Sequence, residues 1–140
     1  MVKLVMLAVA ALALAGCGGT HVKSESATAF LHRVTVEFSR AQSGRLYDDL
    51  VPAQQAVVSR NAYVGCARNG FRLKSFKVLD SYDEAVQVLG RNMPSTAVSV
   101  QVSSDDGVTI ATLHALRVAG RWRWLLPPRD LAAFRAGRCP

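Results

Sequence analysis

The spacing of apolar residues changes once along this chain, and that change constrains the fold more than any other feature. Before Gly70 the spacing is three and four. Ala27, Phe30, Leu31, Val34, Phe38 and Ala41 form one stripe of a helix that Ser24 or Ser26 can cap and that runs to about Ala41. Arg33 and Glu37 stand four apart on the other side, a modest surface pair. Ser43-Gly44 stops this helix, and Leu46, Tyr47 and Leu50 suggest a turn or short helix. Pro52 fits the first turn of a helix through about Val58. Ser59 can cap another that covers Ala62, Tyr63 and Cys66 and ends at Asn69-Gly70.

After Gly70 the period is two. Phe71 to Asp80 alternates, with Phe71 and Leu73 out of phase with Phe76 and Val78, which a bulge near Ser75 resolves. Tyr82 to Leu89 reads as a second strand and Gly90 to Pro94 as a loop. Thr96 to Ser103 alternates cleanly, with Val98, Val100 and Val102 on one face. Asp105-Asp106-Gly107 is a hairpin signal, Val108 to Val118 the next strand, and Gly120 the turn into Trp122 to Leu126. Pro127 and Pro128 end the sheet, and Asp130 can cap a short helix from Leu131 to Ala136. Helices followed by long antiparallel strands make an α+β pattern, with a curved sheet wrapped around the first helix.

The amino-terminal residues carry a different message. Lys3 precedes an apolar run from Leu4 to Leu14, about 11 positions, whereas a bilayer core takes about 20. The run closes on Leu14-Ala15-Gly16-Cys17, which resembles the lipobox of bacterial lipoproteins. That resemblance implies removal of a signal peptide at residues 1–16, acyl chains on Cys17, a tether over residues 17–26, and one domain over residues 27–140. Two or more acyl chains hold a protein stably to a bilayer. Ten extended residues reach about 35 Å, so the domain would sit close to an extracytoplasmic membrane surface.

Lys3 is the one charged side chain in the leader, so cleavage lowers the net charge from +7 by one. The remaining excess, mostly Arg, is spread from Arg33 to Arg138 without a run. A surface of this sign suits anionic headgroups or acidic envelope polymers, and equally well serves solubility alone. Cys66 and Cys139 are the two cysteines left beyond Cys17, and in an oxidising compartment such a pair reads as a disulfide. The alternative is two free thiols, but there is no Cys-x-x-Cys and no neighbouring His.

Over about Ala27 to Phe134 the chain resembles the nuclear transport factor two-like superfamily, and in particular small actinobacterial lipoproteins within it. The resemblance is carried by the order of elements, by Gly44-Arg45-x-Tyr47-x-x-Leu50 after the long helix, and by the closing Gly120-x-Trp122-x-Trp124 strand. It implies a cone-shaped cavity between the first helix and the concave sheet. Phe30, Val34, Phe38, Tyr63, His114, Trp122 and Trp124 are then the candidate lining residues. It also leaves room for a homodimer through the outer sheet face. Fold alone does not separate the superfamily's enzymes from its binding domains.

His114 is the weak catalytic candidate. Its parity with Ile110, Thr112 and Leu116 would aim the imidazole into the cavity if that face is concave. A steroid-isomerase-like site needs a carboxylate base and an oxyanion hole made of a Tyr and a protonated Asp. Tyr47, Tyr63, Tyr82, Asp48, Asp80 and Asp83 are of those types, but none matches a family motif, so no role is carried over. His21, His32 and His114 lack metal-ligand spacing, and Gly16-Cys17-Gly18-Gly19 is no phosphate loop. Arg121-Trp122-Arg123-Trp124 mixes basic and aromatic residues, but a strand sends the two types to opposite faces, which argues against nucleic acid. The expectation is a cofactor-free envelope lipoprotein. Its cone domain would bind a small apolar ligand or a protein partner, without catalysis. The rivals are an isomerase- or cyclase-type enzyme using His114 or a cavity carboxylate, and a basic surface for anionic polymers.

Overall fold

A computed structural model describes residues 24–68, 70 and 73–140. Met1 to Lys23 lie outside it, and with them the leader, Cys17 and His21; Asn69, Phe71 and Arg72 do too. No described helix is long and apolar enough to cross a membrane.

The chain is α+β. Among the described residues, four helices, α1 (Ala27–Ser39), α2 (Ser43–Asp48), α3 (Pro52–Gln55) and α4 (Arg60–Arg68), precede an antiparallel meander. Its strands are β1 (Ser75–Val88), β2 (Arg91–Ser104), β3 (Gly107–Val118) and β4 (Arg121–Trp124), in spatial order β1-β2-β3-β4; α5 (Pro128–Arg135) follows. The Ser26 hydroxyl caps α1 by accepting the Ala29 N–H at 3.1 Å, and Ser59 does the same for the Ala62 N–H at 3.2 Å.

α1 buries Ala27, Phe30, Leu31 and Val34, as its stripe predicts, but it ends at Ser39. Ala41 lies beyond the helix at φ +53° and turns the chain, while Ser43-Gly44 opens α2 instead of stopping α1. α3 likewise closes at Gln55, short of Val58.

Phe71 lies outside the described residues, and from Ser75 the expected strands run together as one continuous β1 that ends at Val88. Its bulge falls at Leu79, between Val78 and Asp80, and not at Ser75. The extra residue changes which side chains face α1: Phe76 and Val78 before it, Ser81 and Asp83 after it. The expected loop from Gly90 to Pro94 is also strand. Leu89 at φ +48° and Gly90 at φ +84° make a two-residue turn, and β2 begins at Arg91. Pro94 is accommodated because the β2–β3 ladder stops at Thr96, so one side of β2 is open there.

Val98, Val100 and Val102 pack with Ala111, Leu113, Ala115 and Trp124 against α1. On the opposite face a smaller cluster of Val51, Val88, Leu116 and Leu125 closes one end of the sheet. The chain segments are clipped together by buried polar contacts. Trp124 Nε1–H donates to Leu46 O at 2.7 Å, and Tyr47 O–H donates to Val58 O at 2.8 Å. Gln54 donates to Leu126 O at 3.1 Å and accepts from Leu126 N–H at 2.8 Å. Cys66 and Cys139 stand as a disulfide-capable pair with Cα atoms 5.3 Å apart, tying α4 to the carboxy-terminal tail.

Candidate functional site

Phe30, Val34 and Trp124 are at most 1% exposed and Tyr63 is 5% exposed, so the side chains expected to line a cavity fill that space instead. Phe38 meets Trp124 edge-on at 5.3 Å between ring centres, and Tyr63 packs between Trp124 and Phe134. The reason is size: an indole, a phenol and a phenyl ring converge under one 13-residue helix. Burial raises the Tyr63 phenol above its ordinary value, with the Asp130 charge adding to the effect. The Asp130 carboxyl is itself raised by burial, against the opposing pull of Arg129.

His114 lies on the other face of the sheet. It pairs across β2 with Ala97, which in turn faces Tyr82 on β1; that row points away from α1. Its Nε2 stands 2.6 Å from Glu84 Oε1, a contact the alternation of residues did not reveal because Glu84 is 30 positions away. The expectation that His114 enters the space under α1 is therefore corrected by the pairing register.

A recess does exist, displaced toward the start of α1. It is open to solvent and holds about 580 Å³. The segment leading into α1 and its first turn form one wall, through Ser24, Ser26 and Thr28. The inner sheet face forms the floor, through Ser81, Asp83, Thr96, Arg117 and Trp122. Among the described residues, nothing beyond Ser24 to Thr28 covers the inner sheet face there. The same face that presents Val98, Val100 and Val102 under the helix changes character at this point. Thr96 Oγ1–H donates to Asp83 Oδ1 at 2.9 Å, and the Thr28 and Ser81 hydroxyls are 3.4 Å apart. Trp122 turns inward with Nε1–H donating to Glu25 O at 2.7 Å, while Arg121 and Arg123 take the opposite side. The Arg117 guanidinium lies 5.5 Å from the Trp122 ring centre and, among the described residues, makes no ion pair.

Behind the wall, Arg33 gathers three carboxylates. It donates to Asp49 at 2.7 Å, Glu37 at 3.0 Å and Glu25 at 3.3 Å. Burial opposes the Arg33 charge, but these hydrogen bonds and the Asp49 charge outweigh it and hold the guanidinium above its ordinary value. The pairing with Glu37 follows from the four-residue spacing; those with Asp49 and Glu25 depend on how the chain folds back. Among the described residues, Glu37 Oε2 and Arg123 Nε are buried without hydrogen-bond partners, so this region carries a desolvation cost. No group of three or more His, Cys, Asp or Glu side chains among the described residues is arranged to hold a metal ion.

Of the carboxylate and phenol candidates, Asp83 faces the recess, whereas Tyr82 touches its rim from the row that points away from α1. Asp48 pairs with Arg60, and Tyr47 and Tyr63 belong to the core. Thr96 and Arg117 escaped notice because each is an ordinary strand residue in its own segment. No protein-family model matches the chain, and no curated protein matches it.

Proposed function

We propose that this chain is an extracytoplasmic, lipid-anchored binding protein of the nuclear transport factor two-like type, acting through its uncovered inner sheet edge and not through chemistry. The carrying observation is the filled interior: with Phe30, Val34 and Trp124 at most 1% exposed, the space under α1 has no room for a substrate. The open recess is instead bounded by Ser24, seven residues from the lipobox cysteine. Seven extended residues reach about 25 Å, which would keep that recess near the membrane. Helices followed by a bulged antiparallel meander, with the first helix across its inner face, support the cone assignment. The polar lining favours a polar small molecule or a protein partner over an apolar one.

The test compares the full chain with Cys17→Ser in a bacterial host. The native sequence should appear in the membrane fraction with an intact mass that includes acyl groups. Cys17→Ser should be released and lack that mass. Complete membrane retention of Cys17→Ser would overturn the anchor.

The His114–Glu84 hydrogen bond favours a second reading, a general acid–base pair on the outer face. Under that reading the protein turns over a carbonyl substrate and both His114→Gln and Glu84→Gln abolish turnover. Under the binding reading neither substitution affects ligand capture.

A further inference from the structure

We propose that the recess at the start of α1 binds a neutral saccharide, an inference that rests on the binding reading and names its ligand class. Three observations converge. The first is charge balance. Arg117 offers N–H donors from β3 that no described residue pairs, and Asp83 on β1 offers a carboxylate with one oxygen engaged by Thr96. Asp83 on this lining repels a simple anion, the Glu25 carboxylate being paired with Arg33, and Arg117 repels a simple cation. The second is spacing. Across the sheet the Asp83 and Arg117 backbones lie two strand spacings apart, roughly 10 Å, and Arg117 stands two residues further along β3 than Ala115, the residue in line with Thr96 and Asp83. A free amino acid, whose two charged groups are borne on one carbon, spans less than that separation. Adjacent sugar rings carry hydroxyls along that distance.

The third is the chemistry between the two ends. Thr28, Ser81 and Thr96 supply hydroxyls that both donate and accept, as sugar hydroxyls do. Trp122 borders the recess with its ring under the Arg117 guanidinium, so a sugar would meet the guanidinium and the indole together. An apolar ligand would strip water from Asp83 and Arg117 without returning hydrogen bonds. A saccharide returns them, and a volume of about 580 Å³ lies within the roughly 300–1,000 Å³ of small-molecule sites.

Such a ligand could come from a free glycan or a glycolipid headgroup, and the experiment separates the two. The full chain is kept in a detergent without a sugar headgroup, and its tryptophan fluorescence is titrated with hexasaccharides of glucose, mannose and galactose. Phosphatidylcholine vesicles with and without digalactosyldiacylglycerol form the second arm. Trp124 is buried, so Trp122 carries the signal. A saturable change is expected with at least one probe. Asp83→Asn and Arg117→Gln should each weaken binding about tenfold, the loss of one charged hydrogen bond, with unchanged thermal midpoints. Lys77→Gln on the far face should change nothing. Response to the hexasaccharides assigns a free glycan; response to the glycolipid vesicles alone assigns a headgroup. No saturable response in either arm, undiminished binding in both variants, or displacement of the bound probe by inorganic phosphate would each overturn the saccharide. Should a different molecule copurify with the wild type and be lost in Asp83→Asn, the binding reading would survive and the saccharide would fall.

Discussion

Gln54 offers a sharp test of how the helices are fastened to the sheet. The residue is 4% exposed, and its amide exchanges two hydrogen bonds with the backbone of Leu126, just past β4. Gln54→Leu keeps the bulk but leaves the Leu126 N–H and C=O unpaired in a buried place. Each orphaned group costs about 1–3 kcal/mol, so the pair costs about 2–6 kcal/mol. For a chain of this size 1 kcal/mol moves the midpoint by about 3–5 °C, so thermal unfolding should drop by about 6–30 °C. Gln54→Glu is more discriminating. Its carboxylate still accepts from Leu126 N–H but meets the Leu126 carbonyl with no proton to give. The folded state therefore favours the protonated acid and raises its pKa above the unfolded value of about 4.3. With the folded value raised, the variant approaches wild-type stability below about pH 4.3 and loses it as pH rises through the folded value. Urea unfolding of both proteins at matched pH reads the difference directly. A Gln54→Leu variant within about 1 kcal/mol of wild type, or a Gln54→Glu deficit that does not shrink on acidification, would refute this reasoning.

The remaining predictions concern other parts of the fold. Replacing Cys66 and Cys139 together by Ser should cost about 2–5 kcal/mol by denaturant unfolding, because their link closes a loop with a sequence separation of 73. The buried Tyr63 phenol has its pKa raised above the ordinary value of about 10. Its contribution is therefore full below that pH and declines by about 1.4 kcal/mol per pH unit above it, a slope that Tyr63→Phe should lack in urea titrations. Ala41→Gly should raise stability by up to about 1 kcal/mol, since φ +53° suits Gly and strains Ala. Arg33→Met should cost about 1–3 kcal/mol, by leaving the buried Glu37 without its cation; the exposure of Arg33 itself limits the loss.

Much of the architecture was legible because it depends on local period. Val98, Val100 and Val102 mark a strand whatever surrounds them, and the α1 stripe marks a helix face with Phe30, Leu31 and Val34 inward. Where reading from sequence failed, a tertiary choice overrode a local signal. Gly44 looked like a helix stop, yet the stop is Ala41, a residue with no intrinsic preference for a left-handed backbone. Gly90 to Pro94 looked like a loop because Pro seldom sits inside a sheet; the short reach of the β2–β3 ladder makes it tolerable. His114 was placed by parity alone, and parity does not say which face of a sheet a helix will cover.

The recess shows why a site can be harder to read than the fold that holds it. Asp83, Thr96 and Arg117 come from three strands, and the phase of each against its neighbour is set by pairing. On β1 that phase shifts at Leu79: without the bulge, Phe76 and Val78 would put Asp80 and Tyr82 on the inner face and Asp83 on the outer. Leaving Leu79 unpaired thus keeps a carboxylate on the side where α1 begins and Tyr82 on the His114 side. Deleting Leu79 removes only the unpaired residue: Val78 would run directly into Asp80, Asp83 would stay opposite Thr96 and Glu84 beside His114. The deletion should therefore preserve whatever binding depends on Asp83. A Leu79 deletion that folds but loses both the Asp83-dependent binding and the His114–Glu84 contact by NMR would show that the pairing of β1 is not what places these side chains.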